Sequence, residues 1–181
     1  AGGVAGVRAR GPRRQVSWSR GLRRGDSGAG AALLAANAVA AAEVAIGVLL
    51  GETERTLWRS RVLVTGWGHV ARALAPRLAA LGAGVCVCAR SPGARAWIAA
   101  EGLEALGLPE LQDALPGCGI VINTVPAPML TAARVAGMKP DALILDLASA
   151  PGGPDFDAAR PLGIRAPHAP GPPGRGTPPA R

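Results

Sequence analysis

The residues best suited to chemistry begin with two glycines. Gly66 and Gly68 directly follow the apolar, β-branched run VLVT at 62–65 and directly precede a stretch with helical periodicity. In that context Gly66-Trp67-Gly68-His69-Val70-Ala71 reads as a turn that holds a pyrophosphate. Gly66 permits the tight turn, and Gly68 has no side chain to obstruct the ligand. The free amides at the helix start face its charge. Ala71 stands where a third glycine often does, and its methyl is small enough for close contact between helix and sheet.

The next apolar run, VCVC at 85–88, leads to Arg90 and Ser91. A carboxylate at the end of this strand accepts from ribose hydroxyls and repels a 2′-phosphate. A guanidinium does the reverse, because its planar fork of donors suits phosphate, and a serine hydroxyl adds to it. The pair therefore selects NADP over NAD. Two later strands end in INTVP and DLAS. At that edge Asn123 has the reach to bond a ribose hydroxyl or the substrate. Thr124, Val125 and Pro126 are expected to face the nicotinamide half. Asp146 closes the last apolar run, Leu147, Ala148 and Ser149 follow at the same edge, and Pro151-Gly152-Gly153 forces a turn over the site. No catalytic acid or base stands out: His69 lies in the phosphate turn and His168 in a Pro-rich tail.

These residues need a scaffold that delivers strand ends to one edge. The sequence alternates strand and helix signals: VLVT, a helix at 69–81, VCVC, a helix at 94–101, LEAL, a helix at 108–115, GIVINT, a helix at 131–135 and ALILDLA. A turn at 155–160 then leads into GIRA. Strands that are apolar throughout imply a parallel sheet buried on both faces. The expected fold is α/β, a Rossmann-type doubly wound parallel sheet in three α/β/α layers, with poorly ordered N- and C-terminal ends. In the helix at 69–81, Val70, Leu74, Leu78 and Leu81 form the expected apolar face and Gly82 closes it. Pro76 inside it costs a hydrogen bond, about 3 kcal/mol, and predicts a kink or a weakened helix. The chain divides into an Arg/Gly-rich disordered leader (1–30), an apolar helix and linker (31–58) expected to pack beside the sheet, the dinucleotide-binding domain (59–166) and a Pro/Gly-rich tail (167–181).

Composition narrows the function classes. The formal charge is +8, but many of the arginines crowd into the leader, and aromatics for base stacking are scarce, which argues against nucleic acid. Lys139 is the only lysine beside 19 arginines. Cys86, Cys88 and Cys118 are too few and too badly spaced for a disulfide framework or a zinc site, so no metal is expected. Cys86 and Cys88 share one strand face. Asn37 and Glu43 interrupt the apolar run near the N-terminus and argue against both a membrane span and a targeting signal.

The motifs NAVAAAEVAI, VLVTGWGHVARALAPRLAALGAGVCVCARS, INTVPAPML, LILDLASAPGGPDFDAARPLGIRA and APGPPGR together resemble the A-type subunits of the dipicolinate synthases of spore-forming bacteria, over about residues 37–176. DLASAPGGPDF is the specific element; the glycine turn occurs in many dehydrogenases. The resemblance implies an NADP-dependent oxidoreductase acting on a dihydrodipicolinate-level intermediate during sporulation. It also implies a partner, the B-type subunit of dipicolinate synthase, a homo-oligomer and the cytoplasm of the mother cell. Asn37, Glu43, Gly152 and Gly153 become candidates for the substrate. Ala40, Ala41 and Val44 depart from the family's Pro, Thr and Gly. The leader stands where the family has an N-terminal domain and the tail is short, so a fragment is expected. Other readings are a shikimate-dehydrogenase-like NADP enzyme, which INTVP suits and DLASAPGG does not, and a nucleotide-binding module without turnover.

Overall fold

The structure is a computed structural model, and it describes residues 27–53, 56–149 and 153–167. The leader up to residue 26, the tail from residue 168 with His168, and Pro151 and Gly152 lie outside the described residues. Helix α1 (Ser27–Glu52) is followed by β1 (Arg61–Thr65), α2 (His69–Ala80), β2 (Gly84–Cys88), α3 (Pro92–Ala100) and β3 (Glu104–Leu106). Then come α4 (Leu111–Ala114), β4 (Ile120–Asn123), α5 (Ala132–Ala136), β5 (Leu143–Asp146) and α6 (Phe156–Ala159). All five strands are parallel and lie in the order β3-β2-β1-β4-β5. The chain winds outward from β1 to β3, then crosses back to lay β4 on the other side of β1. That reversal opens a crevice between the carboxyl ends of β1 and β4.

Side chains alternate between two cores, as the twofold period of a strand requires. Val62, Val64, Val85, Val87, Ile120 and Ile122 face α1, α2 and α3. Leu63, Cys86, Cys88, Val121 and Ile144 face α4, α5 and α6. The three-layer α/β/α architecture is therefore present, and Cys86 and Cys88 share a face. All three cysteines are free and buried. Burial pushes the Cys88 thiol above its ordinary range, which suits an inert core residue.

Helix α2 positions the glycine turn, and its buried face departs from expectation. Its buried face is Ala71, Leu74, Ala75 and Leu78, while Leu81 caps the helix and is 47% exposed. Gly82, at φ +83°, closes it: the Gly82 and Ala83 amides donate to the Ala79 and Leu78 carbonyls. The helix also runs through Pro76 without a break. Helix α1 begins at Ser27, ahead of the expected boundary, and packs on α2 more than on the sheet. It buries Ala38, Ala42, Ala45 and Leu49, one residue per turn, and the three alanines let the two helices approach. Its segment Gly30–Glu52 is long and apolar enough to cross a membrane by length and composition, despite Asn37 and Glu43.

Candidate functional site

The glycine turn sits at the mouth of the crevice. Gly66 has φ +91°, and a Cβ there would lie 2.7 Å from Val125 Cγ2 and 2.8 Å from Thr124 Oγ1. Both its backbone angle and its neighbours exclude a side chain. The Gly66 amide donates to the Cys88 carbonyl at 2.8 Å, which ties the turn to the end of β2. Gly68 differs: a Cβ there meets nothing within 4 Å, so open space lies above it. No side chain caps α2 at Gly68. The first-turn amides and the helix dipole thus face a void next to a residue without a side chain, a cradle suited to the pyrophosphate of a dinucleotide.

Thr65, Asn123 and Asp146 stand level with one another across β1, β4 and β5. They are the buried polar residues among those described. Thr65 Oγ1 donates to Asn123 Oδ1 at 2.6 Å, and Asn123 Nδ2 donates to Asp146 Oδ1 and to the Val125 carbonyl, each at 2.9 Å. Asn123 Oδ1 also accepts from the Val125 amide at 3.3 Å, and Asp146 Oδ1 from the Ala148 amide at 3.2 Å. Thr124 Oγ1 donates to the Thr65 carbonyl at 2.7 Å. An amide side chain has two protons to give and one oxygen to accept with. Asn123 has committed all of them within the protein. In this structure its amide ties the ends of β1, β4 and β5 and the loop at Val125 together. Sequence reasoning gave this locking role to none of the three. Their one shared signal is that each ends an apolar strand with a polar residue.

Past β2, Arg90 is exposed, and its carbonyl accepts from Arg95 Nη1 at 3.0 Å. Among the described residues its guanidinium has no ion-pair partner. Ser91 Oγ accepts from the Ala94 amide at 3.1 Å and so caps α3. Its hydroxyl proton is still free to donate. Pro126 and Ser149 are exposed at the crevice edge, and Leu147 packs its side chain on the core while its amide donates to the Asn123 carbonyl at 2.8 Å. His69 and Val70 open α2, and Trp67 is partly buried against the core. Gly153 approaches Asp146 so closely that a Cβ would run into Oδ2. Asn37 and Glu43 lie on α1, half-buried and exposed, and no side-chain hydrogen bond among the described residues joins either to this edge. No group of His, Cys, Asp and Glu suited to a metal ion gathers among the described residues.

Comparison with known proteins agrees with this geometry. Residues 43–151 match the model of the D-isomer specific 2-hydroxyacid dehydrogenase, NAD binding domain. The chain is 41% identical over 138 residues to the A-type subunit of Bacillus subtilis dipicolinate synthase, covering 76% of this chain and 46% of that protein. The crystal structure of the A-type subunit of dipicolinate synthase from Bacillus halodurans superposes with a TM-score of 0.73 at 37% identity, over 76% of this chain and 47% of that one. Its counterpart from Bacillus subtilis gives 0.72 at 40% identity, over 75% and 45%. The resemblance read from the motifs is thus borne out, and the chain spans about half the length of these relatives.

Proposed function

We propose a function from one premise: the chain belongs to the family of D-isomer specific 2-hydroxyacid dehydrogenase NAD-binding domains. A domain of that family holds a nicotinamide dinucleotide for an oxidoreductase. The finer reading is the cofactor-binding domain of an A-type dipicolinate synthase subunit, which oxidises a dihydrodipicolinate-level intermediate to dipicolinate with NADP during sporulation. The likeness to the Bacillus subtilis protein supports the reaction. The observation that carries the cofactor preference is Arg90, exposed two residues past Cys88, whose carbonyl holds the Gly66 amide.

In this reading Gly68 and the first-turn amides of α2 bind the pyrophosphate, while Arg90 and Ser91 bind the 2′-phosphate. The loops at 123–126 and 147–149 orient the nicotinamide and keep its face dry, with Asn123 holding them in place. The bound dinucleotide supplies the hydride acceptor, and the protein supplies position and electrostatics. Asn37, Glu43, Gly152 and Gly153 are proposed to contact the substrate. The B-type subunit of dipicolinate synthase and further copies of the chain are its proposed partners, with neither nucleic acid nor membrane, in the cytoplasm of the mother cell.

The test is Arg90→Asp. A carboxylate repels the 2′-phosphate and accepts from the 2′-hydroxyl, so the NADPH:NADH affinity ratio should fall by about a hundredfold, on the order of two charge-assisted hydrogen bonds. An unchanged ratio would remove Arg90 from the site.

A further inference from the structure

The edge of the sheet opposite the candidate site carries a feature the cofactor does not use. Arg59, Arg61, Lys139 and Arg165 line one hollow of about 260 Å³, together with Asp141 and the backbone at Gly119. They come from three separate stretches: the segment that leads into β1, the turn before β5 and the segment after α6. Two of the guanidinium groups are anchored. Arg61 Nη2 donates to both carboxylate oxygens of Glu104, at 2.8 and 3.0 Å, and Arg165 Nη1 donates to the Glu52 carbonyl at 2.6 Å. Anchoring leaves the other donors of each fork pre-organised.

Among the described residues, the charge in this hollow is poorly compensated. Glu104 pairs with Arg61, and Asp141 is engaged by a partner of its own. Among the described residues, Arg59, Lys139 and Arg165 form no ion pair. Arg59 also has φ +61°, the left-handed region, and no other non-glycine residue described does. Strain of that kind persists only where the surroundings hold it, and it gathers at ligand sites. Here the Arg59 amide donates to the Gly82 carbonyl at 2.8 Å, and its guanidinium lies 4.3 Å from the centre of the Trp58 ring. Lys139 adds a sequence signal, as the one lysine in a chain that otherwise uses arginine.

We propose that this amino-edge hollow is a second ligand site, which binds a compact anion of charge two or more bearing phosphate or carboxylate groups. Cations converging on a concave surface focus a positive potential there, and a small multivalent anion relieves it. The site is independent of the cofactor-binding reading, since it lies at the other end of the strands.

Amide chemical shifts of the full chain test it, with inorganic phosphate and glutarate titrated separately at constant ionic strength. The expected result is saturable shifts at Gly119, Lys139 and Arg165, with the anion that acts at lower concentration identifying the source. Lys139→Ala and Arg59→Ala should each weaken that binding about tenfold, the worth of one charge-assisted contact. Lys139 is exposed, and removing its side chain leaves the fold intact. Three results would each overturn the proposal: no saturable shift at these amides, identical titrations in the two variants, or the same shifts from sodium chloride. Phosphate that moves only the Gly68, His69 and Val70 amides would overturn it too, while leaving the dinucleotide cradle intact.

Discussion

Gly66 and Gly68 look alike in the sequence and do different work, which mutation can separate. Gly66→Ala places a methyl against Val125 and Thr124 at positive φ, and should destabilise the fold by about 1–3 kcal/mol. Gly68→Ala meets open space, so thermal unfolding should be unchanged while dinucleotide affinity falls at least about tenfold. Paired melting curves and cofactor titrations check this, and the reverse pattern would contradict it. Asn123→Asp tests the buried row. It sets a second carboxylate where Nδ2 now lies 2.9 Å from Asp146, so repulsion raises the folded-state pKa of the pair. A raised carboxyl pKa favours the folded state at low pH. The variant's deficit against the parent should therefore shrink on acidification below pH ~4, near the unfolded carboxyl value, and grow above it. A deficit that denaturant titrations find independent of pH would contradict the row. The glycines are legible in the sequence because their neighbours along the chain are their context. The role of Asn123 is not, because its partners, Thr65 and Asp146, become neighbours only through the strand register.

At the scale of elements, Pro76 makes the sharpest prediction. Helix α2 runs through it, yet the Arg72 carbonyl lacks the amide donor an ordinary residue at 76 would bring. Pro76→Ala should raise the unfolding free energy by up to about 3 kcal/mol, seen as a higher denaturant midpoint with an unchanged slope. No gain would mean that the surrounding packing has absorbed the ring. Ser91→Ala should cost about 1 kcal/mol through the lost cap of α3, apart from any effect on the cofactor. The strands are legible to within a residue or two, since short apolar runs between turns leave few alternatives. The helices are less so. Leu81 fits the periodicity of α2 but lies at the cap, beyond the last residue that faces the core, and Ala71 and Ala75 take its place. Alanine is a weak signal of burial, and α1, lined with it, shows no marked difference between its faces in sequence.

At the scale of the whole molecule, the sheet presents two unlike edges. Its winding places every strand's carboxyl end, with the glycine turn, at one edge, and this follows from the alternation of strand and helix. The cationic hollow at the opposite edge is not legible in the sequence, because its residues are drawn from positions 59 to 165 and only the fold assembles them. In the proposed function the carboxyl edge binds a dinucleotide and prefers the one carrying a 2′-phosphate. The most direct test is to titrate NADPH and NADH into the chain and follow the fluorescence of Trp67, which lies within the glycine turn. Both should quench it saturably, with NADPH bound tighter by about tenfold or more. Equal affinities, or a preference for NADH, would contradict the role given to Arg90, and binding of neither would contradict the site itself.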